Sequence, residues 1–159
     1  MDGWRKLAVG LTLGGIASLG VAAWLWASEG EGDIHLRPGD REAVARGAAI
    51  YKADCASCHG ANLEGQPHWR ERLPNGRLPA PPHDPTGHTW HHPDAQLFAL
   101  TKLGPAKLVG DDYQSDMPGF GDKLRDDQIV DVLSYIKSTW PKEIQARHDL
   151  INRRAEASK

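Results

Sequence analysis

Cys55-Ala56-Ser57-Cys58-His59 is the stretch that decides this fold, and it holds the only two cysteines of the sequence. C-x-x-C-H is the attachment signature of c-type haem, in which both thiols bond to the porphyrin and the histidine supplies an axial nitrogen to the iron. Two thiols on one short turn match the two vinyl groups along one edge of the macrocycle. We therefore predict one covalent haem c, with Cys55 and Cys58 as thioether links and His59 as an axial ligand.

Three other uses of a C-x-x-C pair fit this sequence less well. A thioredoxin-like redox pair follows a strand in a βαβ pattern, and no such pattern precedes this pair. A structural zinc site needs two further ligands at finger-like spacing, whereas the chain has no second cysteine pair. A disulfide between cysteines so close together closes almost no loop and therefore stabilises little.

An uncharged run of 21 residues from Leu7 to Ala27 predicts a membrane-spanning segment. At about 1.5 Å per residue, a helix of this length reaches about 30 Å and crosses the hydrocarbon core. Arg5 and Lys6 precede the run and acidic residues come after it, which predicts that the rest of the chain is exported. Trp24 and Trp26 lie at its outer end, where indole rings favour the interface.

A cleaved signal peptide is the alternative interpretation of this run. Its apolar region is normally shorter, and Leu25-Trp26-Ala27 lacks the small residue wanted at the third position before a cut. We favour a retained anchor. Either interpretation predicts that residues 30 onward leave the bacterial cytoplasm, which suits covalent haem attachment.

Composition limits the architecture of the chain beyond the anchor. About 130 residues are enough for one compact domain and too few for two ordinary ones. The net charge of −2 gives no indication of nucleic-acid binding. Glycine and proline together make up 28 of 159 residues, which predicts long loops.

Hydrophobic periodicity predicts short helices between those loops. Asp40 is the predicted N-cap of a first helix that runs to about Lys52, and a second helix is predicted over Ala95–Leu103. Asp126 is predicted to cap a last helix, Asp127–Thr139, with Ile129, Val132, Leu133 and Ile136 facing inward. The division of the chain is therefore an anchor (1–28), a flexible tether (29–39), a haem domain (40–141) and a charged tail (142–159), for which a further amphipathic helix is one interpretation.

Met117 is the predicted second axial ligand. It is the only methionine of the exported part, because the other is Met1, and Pro118 comes directly after it. A lone methionine more often fills a gap in a core. The haem signature upstream and the proline-braced loop favour ligation here, although one of the histidines could take the position instead.

The sequence resembles the class I monohaem cytochromes c over about residues 40–140. The resemblance is carried by Gly47-x-x-x-Tyr51, Cys55-x-x-Cys58-His59-Gly60, Met117-Pro118 and Tyr135 on the last helix. It implies an all-α fold of short helices around one haem, with His59 and Met117 as the axial pair. It further implies that the first and last helices cross closely, with Gly47 against Tyr135. The predicted N-terminal helix is similar to membrane-anchored members of that family.

A histidine-rich loop departs from the minimal family pattern. Four imidazoles occur at short spacing and suggest a second, copper or zinc site: His83, His88, His91 and His92. No acidic or thiolate ligand completes a cage at clear spacing. The alternative is that these side chains are solvated or hydrogen-bond to the haem propionates.

Two protein ligands leave the iron no open position for a substrate, so the expected function is one-electron transfer and not enzymatic catalysis. The expected partners are a quinol-oxidising cytochrome bc complex and a terminal oxidase or periplasmic reductase, with the domain in the periplasm on the bacterial inner membrane. Three alternatives stay open: a fixed haem relay in a larger membrane complex, a gas sensor or enzyme with a labile sixth ligand, and a copper-linked redox protein.

Overall fold

Short helices separated by loops make up the fold. A computed structural model describes residues 33–110 and 112–159. Within these residues there are six α-helices, one 3₁₀ helix and no strand, so the all-α prediction is confirmed. The helices are α1 (Arg41–Asp54), α2 (Ala56–His59), a 3₁₀ helix (Thr89–His91), α3 (Asp94–Leu103), α4 (Pro105–Val109), α5 (Asp126–Ser138) and α6 (Lys142–Ala157).

The predicted anchor, residues 1–28, and the first part of the tether lie outside the described residues. Among the residues that are described, no helix is both long enough and apolar enough to cross a bilayer. The anchor therefore stays a prediction. Residues Asp33–Lys159 form one compact unit, which includes the predicted tail.

Helix α1 begins as predicted and ends at the haem motif. The Asp40 carboxylate accepts hydrogen bonds from the backbone N–H groups of Glu42 and Ala43, which otherwise have no partner at a helix start. The helix runs to Asp54, two residues beyond the predicted end, and Cys55 is its C-cap. One face of α1 is buried through Ala43, Gly47 and Tyr51.

Gly47 lets α1 and α5 cross at very short distance. A Cβ atom at this position would collide with the backbone carbonyl of Asp131 and would lie 2.9 Å from the Cβ of Tyr135. Only a residue without a side chain fits there. The predicted contact of Gly47 with Tyr135 is therefore confirmed, and it includes the backbone of Asp131 as well.

Helix α5 supplies the centre of the core. Its inward face is the predicted one and consists of Ile129, Val132, Leu133 and Ile136, all buried. The predicted cap is shifted by one residue: Arg125 is the N-cap, and its N–H donates to the side chain of Gln128 at 3.0 Å.

A buried carboxylate on α5 ties the helix to the start of the domain. The Asp131 side chain is only 2% exposed and pairs with Arg37 at 2.8 Å and with Arg46 at 2.6 Å. Because a buried charge is costly without partners, these two guanidinium groups offset the cost of burying the carboxylate. Arg46 lies on α1, so the ion pair reinforces the contact made at Gly47.

Helices α3 and α4 precede the loop that carries Met117. Helix α3 begins at Asp94, one residue before the predicted start, and ends at Leu103 as predicted, with Gly104 as its C-cap. Helix α4 follows directly after α3. Pro105 occupies the first position of α4, where a missing N–H costs nothing. The sequence does not predict this helix, because five residues are too few to show a helical period.

Most of the predicted tail forms helix α6 (Lys142–Ala157), which packs against the remainder of the domain. His148 on α6 is completely buried, with its ring edge-on to Trp140 at a centroid distance of 5.2 Å. Its Nε2 atom lies 2.9 Å from the carbonyl oxygen of His92, whereas its Nδ1 atom is buried without a hydrogen-bond partner among the described residues.

Asp94 connects three separate parts of the chain. Its carboxylate accepts hydrogen bonds from the backbone N–H of Leu36 at 2.8 Å and from the side chain of Asn152 at 2.9 Å. Its own N–H donates to the Asn152 side chain at 2.7 Å. The end of the tether, α3 and α6 are therefore fastened to one another at a single buried carboxylate.

The crossing at Gly47 predicts that even one added methyl group is costly. Gly47→Ala should lower the free energy of unfolding by about 3 kcal/mol, because the Cβ overpacks a backbone–backbone contact. Urea unfolding of the haem-loaded chain, followed by circular dichroism, measures this. Gly39→Ala is the matched control, since nothing lies within 4 Å of its Cβ. Equal losses in the two variants would contradict the proposed tightness of the crossing.

The buried His148 predicts a loss of stability in mild acid. Burial lowers the pKa of His148, the Lys137 ammonium lowers it further, and the Asp94 and Asp149 carboxylates oppose that shift. The unfolded chain, with a histidine pKa of about 6.5, then binds more protons than the folded chain. This contribution to stability is complete above that value and is lost as the pH falls below it.

His148→Gln removes the titrating group and keeps a donor for the carbonyl of His92. We expect its free energy of unfolding to fall less than that of the wild type between about pH 7.5 and about pH 5. His35→Gln, at a side chain that is 62% exposed, should leave the wild-type slope unchanged. A wild-type slope in His148→Gln would exclude His148 as its source.

Candidate haem site

The two cysteines lie where α1 passes into α2. The N–H of Cys55 closes α1 on the carbonyl of Tyr51 at 2.9 Å, and the N–H of Cys58 donates to the carbonyl of Cys55 at 3.1 Å. Both thiols are free; Cys55 is half-buried and Cys58 is exposed. Burial, with the negative charge of Asp54 next, raises the pKa of Cys55 to about 11. Both thiols are therefore unpaired and lie on one turn of the backbone.

Tyr51 fixes this turn from the side of α1. Its ring is buried, and its hydroxyl lies 3.3 Å from the carbonyl oxygen of His59 and 3.0 Å from that of Gly60. Burial raises the pKa of Tyr51, so the hydroxyl remains a hydrogen-bond donor. The carbonyls of His59 and Gly60, at the C-terminal end of α2, each gain a hydrogen-bond donor in this way.

His59 is buried and has one defined hydrogen bond. Its Nδ1 atom lies 2.8 Å from the carbonyl oxygen of Pro81, which can only accept, so Nδ1 carries the proton. The lone pair is consequently on Nε2, which makes no hydrogen bond to any described residue. Burial lowers the pKa of His59, and the bond to Pro81 opposes this. A neutral imidazole with a free Nε2 is the form that binds a metal.

A second imidazole covers one face of His59. The ring of His83 stacks on that of His59 with centroids 3.9 Å apart and planes inclined by 24°. Burial lowers the pKa of His83 well below its ordinary value, and the neighbouring His59 and His88 lower it further. The predicted site histidine His83 is thus engaged with the predicted axial ligand.

Met117 lies half-buried on a loop that is pinned to the end of α3. Its N–H donates to the Ser115 hydroxyl at 3.1 Å. Beyond it, the N–H of Phe120 donates to the carbonyl of Thr101 at 2.9 Å. Gly119 passes so close to α3 that a Cβ there would lie 2.7 Å from the carbonyl oxygen of Leu103. The position of the loop is therefore set by backbone contacts with α3 directly after Met117 and Pro118, and by a side-chain hydrogen bond just before them.

The copper or zinc hypothesis for the histidine-rich loop has no support in this structure. Beyond His83, His88 stacks on Trp69 at 5.2 Å, and His91 stacks on Trp90 at 3.6 Å. His92 lies 5.4 Å from His88, edge to face. Over the described part of the chain, no three His, Cys, Asp or Glu side chains are grouped so that they could hold a metal ion. Aromatic stacking occupies these imidazoles instead.

The donor set, by contrast, fits haem c. Two unpaired thiols three positions apart precede a buried imidazole whose free nitrogen is suited to iron, and no disulfide competes for the thiols. Sequence reasoning missed two partners of this imidazole, the Pro81 carbonyl and the His83 ring. A backbone acceptor leaves no side-chain signal, and spacing alone does not distinguish His83 from the other histidines of its loop.

Comparison with known proteins agrees with this chemistry. The family model described as Cytochrome c matches residues 44–140, which is more than half of the chain. A curated relative, cytochrome c-555 of Prosthecochloris aestuarii, is 31% identical over 72 residues, covering 42% of this chain and 73% of the relative. No solved structure matches the chain.

The family match, the relative and the C-x-x-C-H motif agree with one another. They establish covalent haem c as the cofactor. Proteins of this family typically carry electrons. The chain belongs to the class I monohaem cytochrome c family.

Proposed function

We propose that this chain is a membrane-anchored electron carrier with one low-spin haem c. In the proposal, Cys55 and Cys58 form the thioether links, and His59 and Met117 are the axial ligands of the iron. The observation that carries the proposal is the state of His59: buried, proton on Nδ1, and Nε2 free beside the two thiols.

The hydrogen bond to Pro81 supports the axial role of His59. An imidazole that ligates a metal through one nitrogen usually donates from the other to a carbonyl or carboxylate, which fixes its tautomer and increases its basicity. His59 donates in this way to a backbone carbonyl. Because the acceptor is uncharged, it stabilises an extra positive charge at the iron less than a carboxylate would.

The loop contacts support the role of Met117. A thioether is a weak ligand, so its position must be maintained by the protein and not by the metal alone. Backbone hydrogen bonds from Phe120 and Gly121 to the end of α3, each 2.9 Å, provide that support close to Met117. His/Met ligation favours the reduced iron and raises the reduction potential.

These residues suit electron transfer better than catalysis at the iron. When bound, haem c supplies one-electron exchange between ferric and ferrous iron. His59 and Met117 together fill both axial positions, so the chain offers substrates no site on the metal. The exposed Cys58 marks where the attached edge of the cofactor approaches the surface, and a small docking interface there would suit rapid exchange.

The location and the partners extend the proposal. The uncharged run Leu7–Ala27, with basic residues before it and acidic residues after it, supports a retained anchor and a periplasmic haem domain on the bacterial inner membrane. An anchored carrier diffuses in two dimensions beside its partners. The proposed donor is a quinol-oxidising cytochrome bc complex, and the proposed acceptor is a terminal oxidase or periplasmic reductase.

Met117→Ala tests the axial assignment. The ferric wild type should show the weak near-infrared band of a thioether bound to iron, and the variant should lose it while keeping its covalent haem. Val109→Ala, which shortens a 63% exposed apolar side chain near the same loop, should keep the band. If the band persists in Met117→Ala, another side chain is the sixth ligand. If carbon monoxide binds readily to the reduced wild type, the sixth ligand is labile, as in a sensor or enzyme.

Replacing residues 1–27 with a cleavable export signal tests the anchor. The full chain should fractionate with the inner membrane, and the replaced chain should appear as a soluble periplasmic haem protein with the same spectrum. Mild-detergent extraction of the full chain should yield it free of other subunits. Co-purification in a fixed ratio with other membrane proteins would instead identify it as a relay subunit of a larger complex.

A further inference from the structure

The stacked contact between His83 and His59 has no role in the function proposed so far. The two rings are nearly parallel, with centroids 3.9 Å apart and an inclination of 24°. Other histidines of the same loop stack on tryptophan side chains, whereas His83 alone among the predicted loop histidines stacks on His59. The stacking contact is therefore specific to the imidazole of His59, the proposed axial ligand.

The hydrogen bond to Pro81 leaves one rotation of the His59 ring undetermined. A single hydrogen bond from Nδ1 to a carbonyl oxygen fixes the position of one ring atom but tolerates coupled changes of χ1 and χ2 that tilt the ring. Such a tilt changes the plane of the imidazole without breaking the bond. A flat group packed on the face of the ring blocks it, and His83 occupies that position.

His83 is itself fixed from three directions. Its N–H donates to the carbonyl of Leu63 at 2.8 Å, and its carbonyl accepts from the indole N–H of Trp140 at 2.8 Å. Its Nδ1 atom is 2.9 Å from the hydroxyl of Thr89, a buried residue of the 3₁₀ helix. Backbone and ring are both held, so the ring of His83 presents a rigid face.

We propose that His83 is a positioning residue that sets the plane of the His59 imidazole. This proposal rests on the axial role proposed above for His59. Groups that orient a metal ligand without touching the metal tune its electronic state. The plane of an axial imidazole determines which iron orbitals it overlaps, so a change of plane alters the g values of the ferric haem and its reduction potential.

Three variants of the full, haem-loaded chain test the proposal by low-temperature electron paramagnetic resonance and potentiometric titration. His83→Leu removes the flat face, and we expect shifted, broadened g values and a changed midpoint potential. His83→Phe restores a flat face, so its g values should return toward those of the wild type. Thr89→Val releases Nδ1 and should shift them in the same direction as His83→Leu, by less.

His91→Leu is the matched control, because this exposed histidine of the same loop stacks on Trp90 and not on His59. It should reproduce the wild-type signals. Unchanged g values and potential in His83→Leu would overturn the proposal, as would equal shifts in His83→Phe and His83→Leu. If His83→Leu does not form a haem-loaded protein, Thr89→Val becomes the deciding variant. Wild-type signals in Thr89→Val would then overturn the proposal.

The same measurements separate this inference from the proposed function. A wild type without a low-spin ferric signal would show that the axial assignment of His59 and Met117 has failed. A wild type with that signal, unchanged in every His83 and Thr89 variant, would leave the axial assignment intact and reject only the positioning role.

Discussion

The close crossing of α1 and α5 at Gly47 is the constraint on which the other features of the domain depend. The backbone of Asp131 occupies the space where a side chain at position 47 would lie. The buried Asp131 carboxylate then holds Arg46 of α1 and Arg37 of the tether. Because α1 leads directly into Cys55, fixing its axis fixes the start of the haem motif. Tyr51, one turn beyond Gly47, extends this control to the carbonyl of His59.

Parts of the chain that are distant in sequence form the environment of His59. Pro81 supplies the acceptor for Nδ1, and His83 supplies the ring that covers one face. Trp140, just after α5, holds the backbone of His83. The loop that carries Met117 reaches the end of α3 through backbone contacts that leave little freedom around Met117. The chemistry expected of this arrangement is electron exchange at a ligated iron, with the protein contributing the orientation of the ligands.

Those parts of the fold that depend on local patterns could be predicted from the sequence. The haem c cofactor, the Asp40 cap and the inward face of α5 are visible in short windows, and each is confirmed. The contact of Gly47 with Tyr135 is implied by family resemblance alone, since nothing local indicates which helices cross. The sequence of helix α6 resembles a charged tail because the buried side of the helix, with Gln145 and His148, is polar. The packing of this helix depends on partners such as Asp94 and His92. The loop histidines suggest a metal site by spacing alone, whereas the fold directs them to different aromatic partners.

The covalent attachment at Cys55 and Cys58 is the central claim, and mass spectrometry of the tryptic digest tests it most directly. Trypsin cuts after Lys52 and Arg70, so residues 53–70 contain both cysteines and His59 in one peptide. We predict that this peptide, from protein matured in its own host, carries one added haem and resists thiol alkylation at both positions. A peptide 53–70 with no added haem and two alkylated cysteines would contradict covalent attachment.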